Sequence, residues 1–364
     1  MKAEGIGFSK CMLLGGYLAT NHQNTALVLS LSPKVKCIAN FLMDESFDHF
    51  IIHVKTQPFN YEYFFTSDDW LRPDTFLKRF ERFILSSFHV FFSYMQNRPN
   101  FSKEILHKQV EMSIVGDSEF YTSQGKTGLG SSAATTVAII KCLLNLFKIS
   151  NSESLCSSNS SHENSDDDLQ LIFKLGAISH SIAQENIGSC FDISCSVWGS
   201  QIFRRPSSNF ISTSMLDEKW DNEHTPYVLP PYLRCYLLLT PFNGSSTVKL
   251  VRHFNNKAKD DPNMYEKLKQ VVSNAMKCIQ NGSLEQIEAS FKAVRRFLRD
   301  LSKNWEIEIL PPEVDAIASD VEKLDGVVAA IIPGAGGYDS IAVLAKSQVE
   351  VDFSSLNLTI IASS

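Results

Sequence analysis

The chain has 364 residues, of which 44% are hydrophobic and 20% charged, the usage of an ordinary globular protein of roughly two domains. That excludes a wholly disordered chain, a coiled coil and a collagen-like fibre. The formal net charge of −6 (34 Lys and Arg against 40 Asp and Glu) argues against a bulk-basic nucleic-acid binder and leaves room only for a local basic site.

The opening stretch MKAEGIGFSKCMLL carries Glu4 and no long apolar run, so no secretory signal is expected. Leu13–Leu14 and Ala26–Leu31 read as early strands. Phe80, Phe83, Ile84, Phe88, Phe91 and Phe92 recur at helical spacing, the pattern of a core-facing helix. Ser131–Lys148 reads as a helix. Its apolar run from Val137 to Phe147 is broken by Lys141 and Asn145 and falls short of the about 20 residues a bilayer needs, so no membrane span is expected. Residues 151–168 (NSESLCSSNSSHENSDDD) are Ser, Asn and acid, with Leu155 and Cys156 as the clearly apolar positions. Such a segment cannot offset its ordering entropy, and a disordered surface insertion is expected there.

Leu169–Gln184 follows as a helix, with Leu171, Ile172, Leu175, Ile178 and Ile182 at helical spacing. The Pro/Ser-rich stretch Arg205–Ser214 and the polar residues after it suggest a boundary, giving domains at 1–212 and 213–364. Leu233–Thr240 suits a buried strand. Ser283 with Gln286 makes a capping box for a helix with Ile287, Phe291, Val294, Leu298 and Leu301 on one face. Arg295, Arg296 and Arg299 on that helix read as solvated or ion-paired. Pro311–Pro312 opens another helix through Lys323, and Gly326–Ile332 follows as a strand. Eight cysteines stand at scattered spacings with no C-x-x-C pair, the usage of free thiols in a reducing compartment. The last residues, Ile361 to Ser364, carry no peroxisomal or lipidation tag. A cytoplasmic protein is expected.

The strongest chemical signal is Lys126-Thr127-Gly128-Leu129-Gly130-Ser131-Ser132-Ala133-Ala134. Gly128 and Gly130 permit a tight turn and close approach of a ligand. Ser131 and Ser132 then fall at the N-cap or first turn of a helix, where open N–H groups and the dipole favour an anion. This is not a Walker A loop, because the lysine precedes the glycines. Two further blocks accompany it. Near the N-terminus, Lys10 opens an apolar strand that ends in Gly15-Gly16-Tyr17. Near the C-terminus, a strand runs into Pro333-Gly334-Ala335-Gly336-Gly337-Tyr338-Asp339.

These three blocks, in this order, resemble the GHMP kinase superfamily, and within it most nearly the eukaryotic-type phosphomevalonate kinases. Asp117 to Tyr121, Gly188-Ser189-Cys190-Phe191-Asp192 and Asn243 to Val251 resemble further family segments, so the likeness runs from about residue 9 to 342. It implies an α+β, two-domain GHMP kinase fold, with an N-terminal βαβ-type nucleotide-binding domain and a ferredoxin-like C-terminal domain. It also implies ATP and magnesium (Mg2+) as cofactors and 5-phosphomevalonate as a small-molecule substrate, in a monomer or homodimer with no nucleic-acid or membrane partner. Gly128, Leu129, Gly130, Ser131, Ser132 and Ala133 would hold the nucleotide, and Ser132 would also contact magnesium. Lys10 and Lys126 would neutralise the phosphates. Asp192 would act on the acceptor as base or orienting group. Gly16, Tyr17, Ser245, Thr247, Lys249, Gly336, Gly337 and Asp339 would form the acceptor side.

Two departures stand out. Phe8-Ser9 replaces a Pro-Gly pair before the lysine. Cys190 replaces a glycine, which would be strained if that position needs a positive φ. Together they favour the rival reading of a non-catalytic binding protein on the same fold, which intact Lys10, Ser132 and Asp192 oppose. The other rival, a kinase of another acceptor such as mevalonate, is opposed by Gly15-Gly16-Tyr17 and Tyr338-Asp339. His180, on a helix ahead of Asp192, reads as a structural core histidine, with a supporting role beside Asp192 as the alternative.

Overall fold

The structure is a computed structural model that describes residues 2–42, 50–79, 81–98, 108–122, 125–149, 165–207, 212–242, 247–356 and 358–364. Its architecture is α+β, with helices packed on two main sheets. The first sheet has seven strands: β1 (Lys2–Leu14), β2 (Ala26–Phe41), β3 (Ile51–Gln57), β4 (Tyr61–Thr66) and β5 (Gln109–Gly116), then, beyond a hairpin of β6 (Tyr121–Thr122) and β7 (Gly125–Lys126), β8 (Gln201–Arg204) and β9 (Glu223–Pro226). β2 is central. It pairs antiparallel with β1 along nearly its whole length, from Leu14↔Leu27 to Lys2↔Asn40, and on its other edge with β5 and β8. β3 and β5 form a parallel pair.

β1 and β2 are much longer than the strands read from the sequence. The missing half of β1 contains Gly5 and Gly7, which weaken a strand signal. Their reason lies across the sheet. A β-carbon on Gly5 would stand 2.1 Å from Ala138 O, and one on Gly7 would stand 2.0 Å from Ala134 O. The glycines therefore let helix α4 (Ser131–Leu146) lie directly on the β1 backbone, which fixes the helix start beside Lys10.

The other helices of this unit are α1 (Ser67–Trp70), α2 (Pro73–Phe76), α3 (Arg82–Gln96), α5 (Asp166–Gln184) and α6 (Phe191–Trp198). On α3 the aromatic face is core as expected: Phe88 and Phe92 pack around Trp70, and Phe92 also meets Phe50. Phe80 lies outside the described residues. The expected disordered stretch 151–168 needs a correction at its end. Residues 150–164 lie outside the described residues, but Ser165 caps α5, its Oγ accepting from Asp168 N at 3.2 Å. Asp166, Asp167 and Asp168 fill the first turn, where carboxylates are favoured by the helix dipole. The helix thus begins three residues before the expected Leu169.

The chain changes sheet between Pro226 and Leu233. β9 still pairs with β8, so the polar stretch after residue 212 contributes an edge strand to the first sheet. The second sheet, in the order β11-β12-β10-β13, is antiparallel throughout, with β10 (Leu233–Leu239), β11 (Val327–Ile331), β12 (Ser340–Lys346) and β13 (Thr359–Ser363). Its helices are α7 (Thr247–Asp260), α8 (Pro262–Asn281), α9 (Leu284–Trp305) and α10 (Pro312–Val321). The Ser283–Gln286 capping box forms, and Ile287, Phe291, Val294 and Leu301 of α9 are buried. Arg295 pairs with Asp315 and Glu322, and Arg299 with Asp315, the ion-paired state read from the sequence. The seven described cysteines are free thiols. No described helix is long and apolar enough to cross a membrane.

Candidate active site

The three glycine blocks meet at one cleft, with Lys10, Gly128, Phe191, Thr247, Gly336 and Asp339 in its walls. The loop before α4 supplies one wall. Gly128 and Gly130 both have positive φ, +75° and +80°, the left-handed region that glycine enters without strain. Gly130 is itself the cap of α4, and no side chain caps this helix. Of the two places expected for Ser131 and Ser132, N-cap or first turn, both take the first turn as the first two helical residues. The first-turn N–H groups of Ser131, Ser132 and Ala133 have no intrahelical partner, the arrangement that favours an anion at a helix start. Leu129 and Ala133 are buried and anchor the loop from beneath.

Lys10 is tied to this loop twice. Its N–H donates to Leu129 O at 3.1 Å, and its Nζ donates to Gly128 O at 2.7 Å. The ammonium also stands 5.1 Å from the centroid of the Phe191 ring. A β-carbon on Gly130 would crowd Lys10 Cε at 3.1 Å. Lys126 falls in β7, and its side chain lies outside the described residues.

Asp192 is in the first turn of α6, not in a free turn. Its Oδ1 accepts from Ile193 N at 2.9 Å. Oδ2 points toward His180, whose Nε2 is 3.9 Å away, and the same Nε2 lies 3.0 Å from Ser132 Oγ. The structure therefore brings Ser132, His180 and Asp192 together. Cys190 caps α6 with φ +58°, so the position does need the left-handed backbone and the cysteine is strained. Its thiol is buried, and burial pushes its pKa well up. The Phe8-Ser9 departure is absorbed by a register shift between those two residues in the β1–β2 ladder. Ser9 Oγ donates to Leu31 O at 3.2 Å, and Ser196 Oγ of α6 donates to Phe8 O at 2.6 Å.

Of the residues expected to form an acceptor side, Gly16, Gly336 and Asp339 line the cleft, as does Thr247 at the start of α7. Gly337 N donates to Ile309 O at 2.9 Å, behind the wall. Tyr17 is not in the cleft wall. It is buried, its hydroxyl donates to Ala335 O, and its ring stacks on Phe254 of α7 at 4.2 Å. Burial raises its pKa. Lys249 is exposed on α7, and Ser245 lies outside the described residues.

No protein-family model matches the chain. Among curated proteins it is similar to the phosphomevalonate kinase of Candida albicans, 25% identical and covering 92% of this chain and 87% of that protein. It is also similar to the peroxisomal phosphomevalonate kinase of Arabidopsis thaliana, 27% identical over 59% of this chain and 54% of that one. Among solved structures, the Streptococcus pneumoniae phosphomevalonate kinase in complex with phosphomevalonate and AMPPNP superposes with a TM-score of 0.69. That match is 16% identical and covers 100% of this chain and 99% of that one. In sequence the chain is similar to phosphomevalonate kinases, and its fold is that of the Streptococcus structure.

The cleft lies at the seam of the two sheets, between Lys10 to Met12 of β1 and Leu237 of β10. The sequence reading missed some of that site. Phe191 was passed over although it directly precedes Asp192, and its ring lies beside the Lys10 ammonium. Thr20, Ser189 and Ser340 also line the cleft. Phe191 and Ser189 lie within a quoted block, Ser340 directly follows one and Thr20 is three residues past another, so proximity in the chain was the one available signal. His180 was read mainly as core, because its partner Ser132 lies 48 residues away in sequence.

Proposed function

We propose that this protein transfers the γ-phosphoryl group of ATP to the phosphate of (R)-5-phosphomevalonate, giving (R)-5-diphosphomevalonate and ADP, within mevalonate-dependent isoprenoid and sterol biosynthesis. The observation that carries the reading is the convergence of Lys10, Gly128 of the loop before α4, Gly334 to Gly336 and Asp339 on one cleft. Phosphoryl transfer asks mainly for positioning and charge neutralisation, and these residues supply both.

The nucleotide phosphates would rest on the loop, with first-turn N–H groups of α4 donating to them. Lys10, and Lys126 beside the loop, would neutralise the two phosphates that meet in the reaction. The donor set fits magnesium. Ser132 offers a hard hydroxyl oxygen in the first turn, and magnesium commonly completes its shell with phosphate oxygens and water. Bound there with nucleotide, the ion would draw charge from the phosphate oxygens. Asp192 would orient the acceptor phosphate, which is already largely ionised at neutral pH because its second pKa is about 6. Thr247 and Asp339 would bound the acceptor's position, with Gly16 and Gly336 letting the backbone come close. A cytosolic setting accords with seven free thiols, six of them buried.

The test is ADP release from purified protein with ATP and magnesium, comparing 5-phosphomevalonate, mevalonate and homoserine, with Asp192→Asn alongside. Turnover confined to 5-phosphomevalonate and largely lost in the variant is the expected result. Turnover of mevalonate instead would discard the acceptor, and folded, nucleotide-binding protein with no turnover would favour a non-catalytic role.

A further inference from the structure

We propose that His180 is a positioning residue for phosphoryl transfer, holding the Ser132 hydroxyl and the Asp192 carboxylate in fixed relation to each other. The inference rests on the kinase reading above. One ring nitrogen faces both groups: His180 Nε2 lies 3.0 Å from Ser132 Oγ and 3.9 Å from Asp192 Oδ2. Ser132 stands in the first turn of α4, and Asp192 in the first turn of α6. The imidazole of α5 therefore joins the two helix N-termini that frame the reacting groups.

The ring has little freedom of its own. The side chain is 8% exposed. Phe83 of α3 packs on it, with ring centroids 5.2 Å apart. Gln184, one turn further along α5, brings its Nε2 to within 3.3 Å of the same ring nitrogen. α5 is itself held at its start by the Ser165 cap. Rigid packing therefore fixes the imidazole, and the imidazole in turn fixes two groups that have freedom to lose. A serine hydroxyl rotates to suit its partner, and a ring nitrogen at 3.0 Å ends that rotation. The Asp192 carboxylate is pinned at Oδ1 by Ile193 N. Oδ2 faces the ring at 3.9 Å, beyond hydrogen-bond distance, so the imidazole bounds its position by packing. The same nitrogen, Nε2, is the one that faces the first-turn serine of α4 and the first-turn acid of α6.

Transfer depends steeply on such placement, since a misplacement of about 1 Å can cost about 100-fold in rate. The experiment is steady-state kinetics of the full chain with ATP, magnesium and 5-phosphomevalonate. It compares wild type, His180→Leu, His180→Gln, Ser132→Ala and the Ser132→Ala/His180→Leu double variant. Thermal unfolding and the Kd for AMPPNP are measured on each. His180→Leu should lose about 100-fold in kcat, while both KM values and the AMPPNP Kd stay within about threefold of wild type. His180→Gln keeps a polar group in reach of Ser132 and should recover at least about tenfold of that loss. The two single losses should combine less than multiplicatively, because the residues act through each other.

If the leucine variant does not fold, His180→Asn, too short to reach Ser132, replaces it under the same criteria. A kcat within about threefold of wild type in the leucine variant overturns the inference. So does a glutamine variant as impaired as leucine, or a fully multiplicative double variant. Those results leave the kinase reading intact, provided that wild type turns over. A wild type that turns over no acceptor overturns both.

Discussion

Gly16 and Gly334 meet backbone against backbone: a β-carbon on Gly16 would lie 1.6 Å from the Gly334 carbonyl oxygen. Around this contact, Gly334 N donates to Met12 O at 3.0 Å, and the Tyr17 hydroxyl donates to Ala335 O. Two of the three glycine blocks are therefore the two halves of one joint between the sheets, and the cleft opens at that joint. Their small residues serve packing between units as much as approach of a ligand.

This joint separates two glycines that look alike in sequence. Gly16→Ala has no room, because the obstacle is backbone, and should destabilise by about 3 kcal/mol or more. Gly334 has φ +65° with nothing within 4 Å of an added β-carbon, so Gly334→Ala should cost only the left-handed penalty of about 1–2 kcal/mol. Urea unfolding of both variants checks this. Equal losses would mean that the joint does not bear on stability.

Cys190 offers a second contrast. Its left-handed φ of +58° favours glycine, whereas elsewhere alanine is generally the better residue in and around a helix. Cys190→Gly should therefore be more stable than Cys190→Ala by about 1 kcal/mol, both having lost the buried thiol. Chemical denaturation of the pair decides it, and an alanine variant as stable as glycine would remove the strain argument.

Much of the fold was legible where a local signal was strong. The Ser283–Gln286 box, the apolar face of α9 and the run Leu233 to Thr240 were read from short windows and hold, the strand ending one residue earlier at Leu239. The start of α5 was lost because Asp166 to Asp168 look like part of a polar loop, when three acids also suit a helix N-terminus. The length of β1 was lost because Gly5 and Gly7 answer to α4, more than a hundred residues away. The same limit governs the site. Lys10, Gly128 and Asp192 could be named from their blocks, while the link from Ser132 through His180 exists only after folding.

Lys10 is held to the phosphate loop by its own amide and by its ammonium. Lys10→Met keeps the backbone bond to Leu129 and most of the stem contact with Gly130, so the melting temperature should change little. The variant loses the charge at the place where two phosphates would meet, and kcat should fall about 100- to 1,000-fold, the scale for removing one preorganised electrostatic contact. Turnover and thermal unfolding on the same preparation check the pair of outcomes. An active variant would move the burden of charge neutralisation to Lys126.

Lys141 gives a pH-dependent prediction away from the chemistry. It extends from α4 to the C-terminal end of α6, where its Nζ donates to Ser196 O at 3.5 Å and Val197 O at 3.4 Å. A cation is favoured at a helix C-terminus, yet burial brings its pKa down from 10.5 to about 8. Below pH 8 both folded and unfolded chains keep the proton, and the burial penalty is constant. Between about 8 and 10.5 the unfolded chain binds more protons than the folded one, so this residue makes stability rise with pH. Lys141→Met removes that term and leaves the other titrating groups in place. From pH 7 to 10 the difference in unfolding free energy should therefore move in favour of wild type by about 2 kcal/mol, at roughly 1.4 kcal/mol per pKa unit. Urea unfolding of both proteins across this range measures it. Parallel curves would mean that the ammonium is hydrated in the folded state, and that α6 and its Asp192 are held without it.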